Sequence, residues 1–282
     1  MVRRPALLCV RLLTLAALLS VAVAAPAHAA DPVNSPGCQA GTTNCVDAVI
    51  KEMTKRFNPL AKTCDHDAIF SLTYLRTTEE YRRAVEDPNF FGSNAFVNRE
   101  DAAFASKYFT ADSDWRAGNV GAVPEAWRIA FGAADGRQVS AAGNMFLGMN
   151  AHIVRDLPIT LDELGLGSKA DHDKVNTILA SVADPLIAEI ARRFDPSING
   201  GDVPGTSLDR DALLQLVFAW REEAWQNATA LHASSGLAKQ LLLAEIEANA
   251  ATRARALAAE NAYAPGQSSA ERDAWCATHW NT

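Results

Sequence analysis

Histidine, cysteine and tyrosine are scarce in this chain: six, five and four among 282 residues. A site built from them has few candidates, and each can be weighed singly. No Cys-x-x-Cys occurs, so a redox dithiol and a cysteine zinc site are excluded. His-Glu-x-x-His, Gly-x-Ser-x-Gly, a phosphate loop and a dinucleotide fingerprint are absent as well. That removes the zincin, nucleophile-elbow, P-loop and Rossmann readings. Glu-x-x-His is missing, against a ferritin-like di-iron bundle. No segment of useful length alternates with the period of a strand, and there is no repeat or low-complexity tract. A basic excess is lacking too. The 33 acidic side chains outnumber the 26 basic ones, so neither nucleic acid nor an anionic membrane surface is expected as the main partner.

What is present starts with a leader. Arg3, Arg4 and Arg11 make a basic start, Leu12 to Ala25 is an apolar run, and Ala27-His28-Ala29 fits a small-x-small cleavage signal. Residues 1–30 therefore read as a secretory signal peptide cut near Ala29 or Ala30, which predicts an exported, soluble protein with no membrane span in its mature chain. Cysteine usage agrees. Without Cys9 an even set remains, Cys38, Cys45, Cys64 and Cys276, in an oxidising compartment. Of the three pairings that four cysteines allow, the expected one is Cys38 with Cys45 and Cys64 with Cys276.

Residues 31–42, rich in Pro, Gly, Ser and Asn, read as a flexible N-terminal leader. Residues 43–282 read as a single compact, all-α domain of about seven to nine helices. The apolar spacing predicts a helix from Thr43 to Phe57, ended by Asn58-Pro59, and a second over Asp65 to Val85. Phe90 to Asn98 reads as an irregular loop, and a third helix runs from Arg99 to Ala111. Residues 113–121 read as a loop, after which Val123-Pro124-Glu125 opens a helix holding Trp127 and Phe131. A central helix spans about Val139 to Arg155, and another spans Ser168 to Phe194 with a kink or break at Pro185. Ser197 to Ser207 is the clearest linker. Helices over Leu208 to Ser234 and Leu237 to Glu260 follow, hinged at Gly236.

Chemistry presses against packing at the end of the central helix. His152 and Asp156 stand four apart, so both project from one face, roughly 6 Å apart at Cβ. Imidazole and carboxylate together suit zinc or another divalent ion. Gly148, one turn earlier, leaves room there for a ligand or a neighbouring backbone. Asp171-His172-Asp173 opens the next helix, with Asn176 one turn on, and could converge with His152 and Asp156 if the helices pack antiparallel. Asp65-His66-Asp67 is a further cluster. Arg221 and Trp225 share a helix face and could stack as a cation–π pair. Each has a bland alternative: Asp156 capping a short helix opened by Leu157-Pro158, Asp171 and Asp173 answering a helix dipole, and core tryptophans.

The block Gly148-Met149-Asn150-Ala151-His152-Ile153, followed by Asp156-Leu157-Pro158, resembles the hallmark of an uncharacterised family of helical proteins common in actinobacteria. Phe70…Tyr74…Thr77, Phe104-Ala105…Tyr108, Trp127…Phe131, Asp171…Val175-Asn176 and Arg221…Ala224-Trp225 resemble it in order. The resemblance covers roughly residues 44–235 and implies a helical fold without a reaction. More distantly, His152 and Asp156 are similar to the His-x-x-x-Asp piece of zinc-dependent phospholipase C and the P1-type nucleases. Those enzymes place further histidines after the aspartate and bind zinc through an N-terminal Trp. Here Asn176 follows His172 and the mature chain starts at Ala30 or Asp31, so that likeness implies one metal ion at most.

Three expectations follow. The first is a secreted metal-dependent hydrolase of phosphoester or similar polar ester substrates. In it His152 and Asp156 hold one divalent ion, zinc foremost, His172 is a further ligand or general base, and Asp173 or Asp171 orients it. The second is a non-enzymatic helical binding protein holding a small apolar or amphipathic ligand near Tyr74, Tyr108, Trp127, Asn150, Arg221 and Trp225. The third is a structural envelope protein in which His152 and Asp156 stabilise a helix junction.

Overall fold

In the computed structural model of the chain, residues 35–200 and 210–282 are described. The signal peptide, residues 31–34 of the expected leader and residues 201–207 of the expected linker lie outside them, and the rest of the leader is ordered by α1 and a disulfide. After a single turn, α1 (Pro36–Gln39), the chain enters α2 (Thr43–Thr63). Val46, Val49, Met53, Phe57 and Leu60 recur every three or four residues along α2, and all are buried. The expected stop at Asn58-Pro59 is not made, and α2 runs one turn further. A proline deletes one backbone donor, but burial of Leu60 and Ala61 holds the last turn, and the Thr63 hydroxyl donates to the Pro59 carbonyl. The helix ends where Cys64 turns left-handed (φ 53°) and the Asp65 amide closes back on the Leu60 carbonyl.

Then come α3 (Ala68–Ala84), α4 (Asn94–Arg116) and α5 (Glu125–Asp135). Residues 68–75 of α3 are buried without a break, because this helix is covered on all sides by α2, α6 and α8. Residues expected as loop on either side of α4 belong to it. The Ser93 side chain accepts the Phe96 amide and starts the helix five residues before Arg99.

The expected central helix becomes a rod of three parts: α6 (Ala141–Met149), a π-helical segment (Asn150–Asp156) and α7 (Leu157–Leu164). The chain does not stop at Pro158, which sits in the first turn of α7, where its missing N–H costs nothing. The helix α8 (Lys169–Arg193) passes Pro185 without a break. α9 (Arg210–His232) and α10 (Gly236–Glu260) follow, turning at the expected Gly236, and α11 (Ala270–His279) ends the fold. α9 lies along α7 and the π segment, while α10 covers α5, α6 and the π segment.

The fold is therefore all-α, with ten helices of two turns or more and no strand among the described residues. The only pairing of the β kind there is an isolated bridge between Val139 and Ala262. The count exceeds the expected seven to nine because the rod continues past Arg155 into α7 and the aromatic tail forms another helix. Both expected disulfides are present, Cys38–Cys45 and Cys64–Cys276. The second ties α11 to the end of α2. No helix among the described residues is long and apolar enough to cross a membrane.

Candidate functional site

The rod's middle segment positions the site. A π turn takes about one residue more than an α turn, and such segments are frequent at functional sites. Just before it, Gly148 faces α3: a Cβ there would lie 2.2 Å from Phe70 Cγ. The room this glycine makes is thus filled by an aromatic ring, neither a ligand nor a backbone. The close approach gathers rings around His152, which is 3 % exposed. Phe104 stacks on the imidazole at 3.5 Å between centroids, with the planes 7° apart. Tyr74 stands at 4.5 Å, Trp127 at 5.8 Å and Tyr108 at 6.3 Å.

Beneath the ring, Asp156 is fully buried. Its Oδ2 faces His152 Nδ1 at 3.1 Å and accepts from Trp127 Nε1 at 2.9 Å. Its Oδ1 accepts from Arg155 Nη1 at 2.6 Å, and Arg155 Nε donates onward to Glu247 of α10 at 2.7 Å. Burial opposes charge on Asp156, but the His152 hydrogen bond and the Arg155 guanidinium outweigh it and hold the carboxyl below its usual range. An ionised carboxylate can only accept, so the proton in the His152–Asp156 contact sits on Nδ1. Burial keeps the imidazole neutral, against the pull of Asp156. Its Nε2 is then a bare acceptor, and it has no partner.

His152 borders a cavity of about 120 Å³ between α3, α4, the π segment, α8 and α9. The lining is chiefly apolar: Phe104, Ile153, Leu157, Val175, Ile178 and Leu179 among others. Polar side chains line it as well, Thr73, Thr77, Thr78 and Tyr81 among them. Tyr74 Oη and Asp101 Oδ2 join His152 Nε2 as buried atoms without a hydrogen-bond partner. Glu100 lines the wall beside Asp101. Burial pushes the Glu100 carboxyl up to about 7, and burial with the neighbouring Glu100 pushes Asp101 up to about 8. These two acids escaped the sequence reading. Their signal was there, since Asp101, Phe104 and Tyr108 lie three and four apart, on one face of α4.

His172 belongs to a separate arrangement. Its Nε2 bonds to the Arg221 carbonyl at 3.0 Å, while Arg221 Nη2 donates to the His172 carbonyl at 2.7 Å and Arg221 Nε to Asn176 Oδ1 at 2.8 Å. This clasp joins α8 to α9. Burial and the adjacent Arg221 drive His172 down to about 2, so the ring is neutral, with Nε2–H spent on a carbonyl. Asp173 does not orient it: half exposed, it pairs with Lys169 at 2.5 Å. Asp171 instead accepts the amides of Gly92 and Ser93, at 2.6 and 3.2 Å. Arg221 is buried, and a buried guanidinium needs oxygen acceptors that an indole face lacks. The expected Arg221–Trp225 stack is accordingly not formed: Lys169 lies over Trp225 at 5.9 Å, and the His172 ring is 5.1 Å away.

Arg221 lines the cavity, whereas Trp225, Asn150 and His172 do not. Asn150 Nδ2 donates to the Ala250 carbonyl of α10 at 2.9 Å. In the front cluster His66 bonds to Asp273 at 2.9 Å and Asp67 pairs with Arg116 at 3.0 Å, both tying elements together. Among the described residues, no three His, Cys, Asp or Glu side chains are grouped so as to hold a metal ion. The structure gathers His152, Asp156, Tyr74, Tyr108 and Trp127 in one place, and His172, Arg221 and Trp225 in another.

No curated protein and no solved structure matches the chain. One family model does, described as a family of unknown function, DUF5995, over residues 46–260, a range that includes every residue of the cavity wall. With most of its length matched by that model, the chain belongs to the DUF5995 family.

Proposed function

We propose that this is an exported protein that binds a small, largely apolar molecule in the cavity beside His152. The observation that carries the reading is that three residues lining one chiefly apolar cavity, His152, Tyr74 and Asp101, each hold a buried polar atom, Nε2, Oη and Oδ2, without a partner. A buried polar atom left unpaired costs about 1–3 kcal/mol, and native chains tolerate such atoms mainly where water, an ion or a ligand supplies the missing partner. An apolar enclosure with a few convergent polar groups is the usual make-up of a small-molecule site. The signal-like leader and the two disulfides support export.

Native mass spectrometry of the wild-type protein is expected to show a bound small molecule, and Leu179→Trp, which fills the cavity from α8, is expected to abolish it with no loss of folding. Full occupancy in this variant would place the ligand elsewhere. The metal-dependent hydrolase reading has less behind it. Asp156 already serves three donors, and both His172 nitrogens face Arg221. Elemental analysis is expected to find no stoichiometric divalent ion. One equivalent of zinc, lost in His152→Ala, would restore that reading.

A further inference from the structure

Which molecule the cavity takes follows from the proton inventory of its wall, granted the binding reading above. Asp156 fixes the imidazole of His152 from below, so the lone pair at Nε2 is a fixed acceptor that cannot rotate away: Phe104 stacks flat on the ring. A group that satisfies it must carry hydrogen. Carboxylates and ketones do not. An anion meets a second obstacle, because the one guanidinium in the wall, Arg221, already serves the His172 carbonyl and Asn176. Tyr74 Oη, which can donate and accept, suits the oxygen of the same group.

Size narrows the class further. An engineered apolar cavity of about 150 Å³ in another protein admits benzene, and this one is about 120 Å³. We infer that the ligand is a neutral, ring-sized alcohol or phenol, its hydroxyl donating to His152 Nε2 and its apolar body against Ile153, Leu157, Ile178 and Leu179.

The test uses four probes of one size on the wild-type protein by titration calorimetry: phenol, toluene, benzoate and benzylammonium. Phenol is expected to bind about tenfold more tightly than toluene, the ratio a single well-made hydrogen bond supplies, and more tightly than either ion. A merely greasy cavity would rank them the other way, because phenol gives up more to leave water. His152→Phe keeps a ring against Phe104 and removes the lone pair, so the preference for phenol should vanish in it. The wild-type ranking decides alone should that variant not fold. Toluene binding as tightly as phenol would overturn the hydroxyl assignment while leaving a binding cavity. Benzylammonium binding more tightly than phenol would overturn neutrality. Failure of all four to bind would overturn this inference and, if Leu179→Trp still carries its ligand, the cavity reading with it.

Discussion

At the scale of single residues, the site depends on two kinds of constraint, absence of bulk and absence of a partner. Gly148 illustrates the first. Its missing side chain lets the Phe70 ring reach the rod, and that ring in turn packs edge-on against Tyr108 and Trp127, at 5.2 and 5.3 Å. Gly148→Ala would place a methyl 2.2 Å from Phe70 Cγ. Overpacking of this kind costs about 1–3 kcal/mol, read as a shift of the urea midpoint. Because the clash is with one side chain, Phe70→Leu in the same chain should recover part of it, and strict additivity of the two changes would contradict the contact. Asp101 and His152 illustrate the second constraint. Nothing about an acid beside a run of alanines says it is buried unpaired; that depends on which helices close over α4.

At the scale of elements, the chain's turns are secured by side chains from distant helices. Asp171, at the start of α8, holds the loop between α3 and α4 through the Gly92 and Ser93 amides. The helix-dipole explanation expected of it is satisfied as well, since it lies in the first turn, but the loop contact is the added use. Hydrogen bonds to a charged group contribute about 1.5–3 kcal/mol. Asp171→Ala is therefore expected to cost about 2 kcal/mol and to speed hydrogen exchange at Gly92 and Ser93 selectively. Equal exchange in both proteins would mean the loop is held by something else. The π segment belongs to this scale too. Periodicity read at 3.6 residues per turn finds one continuous helix through His152, and the inserted register shows only in the backbone. Pro59 misled the reading in the opposite sense, because packing of the flanking turn outweighs a proline's lost hydrogen bond there.

At the scale of the whole molecule, buried titrating groups set opposing pH slopes. His66, lowered by burial and Arg272 to about 4, and His172, lowered to about 2, stay neutral in the folded chain where the unfolded chain would protonate. Stability from them is present above the ordinary histidine range and is lost as pH falls below it. Glu100 and Asp101 work the other way. Their folded values are raised, so the folded chain holds protons the unfolded chain has released, and stability falls as pH rises from about 4 toward 8. Above the histidine range only this second slope remains. Unfolding midpoints should decline between pH 6.5 and 8, and Asp101→Asn should flatten the decline. An unchanged slope in that variant would remove Asp101 from the account.

Much of this was decided along the chain itself. Helical periodicity determined the all-α class and most element boundaries, because an amphipathic face needs only local spacing to be recognised. The even set of cysteines, two near each other and two at opposite ends of the domain, yielded the right pairs. The i, i+4 relation of His152 and Asp156 likewise follows from a single helix, and their hydrogen bond is there. What tertiary structure alone decided is who stands opposite whom. Trp127 donates to Asp156 from another helix, Arg221 takes up His172, and Glu100 and Asp101 meet His152 across one cavity. These groups are brought together by close packing of helices far apart in the chain. Whether a polar group is desolvated, and whether it finds a partner there, depends on that packing, to which the spacing of residues along one helix is blind.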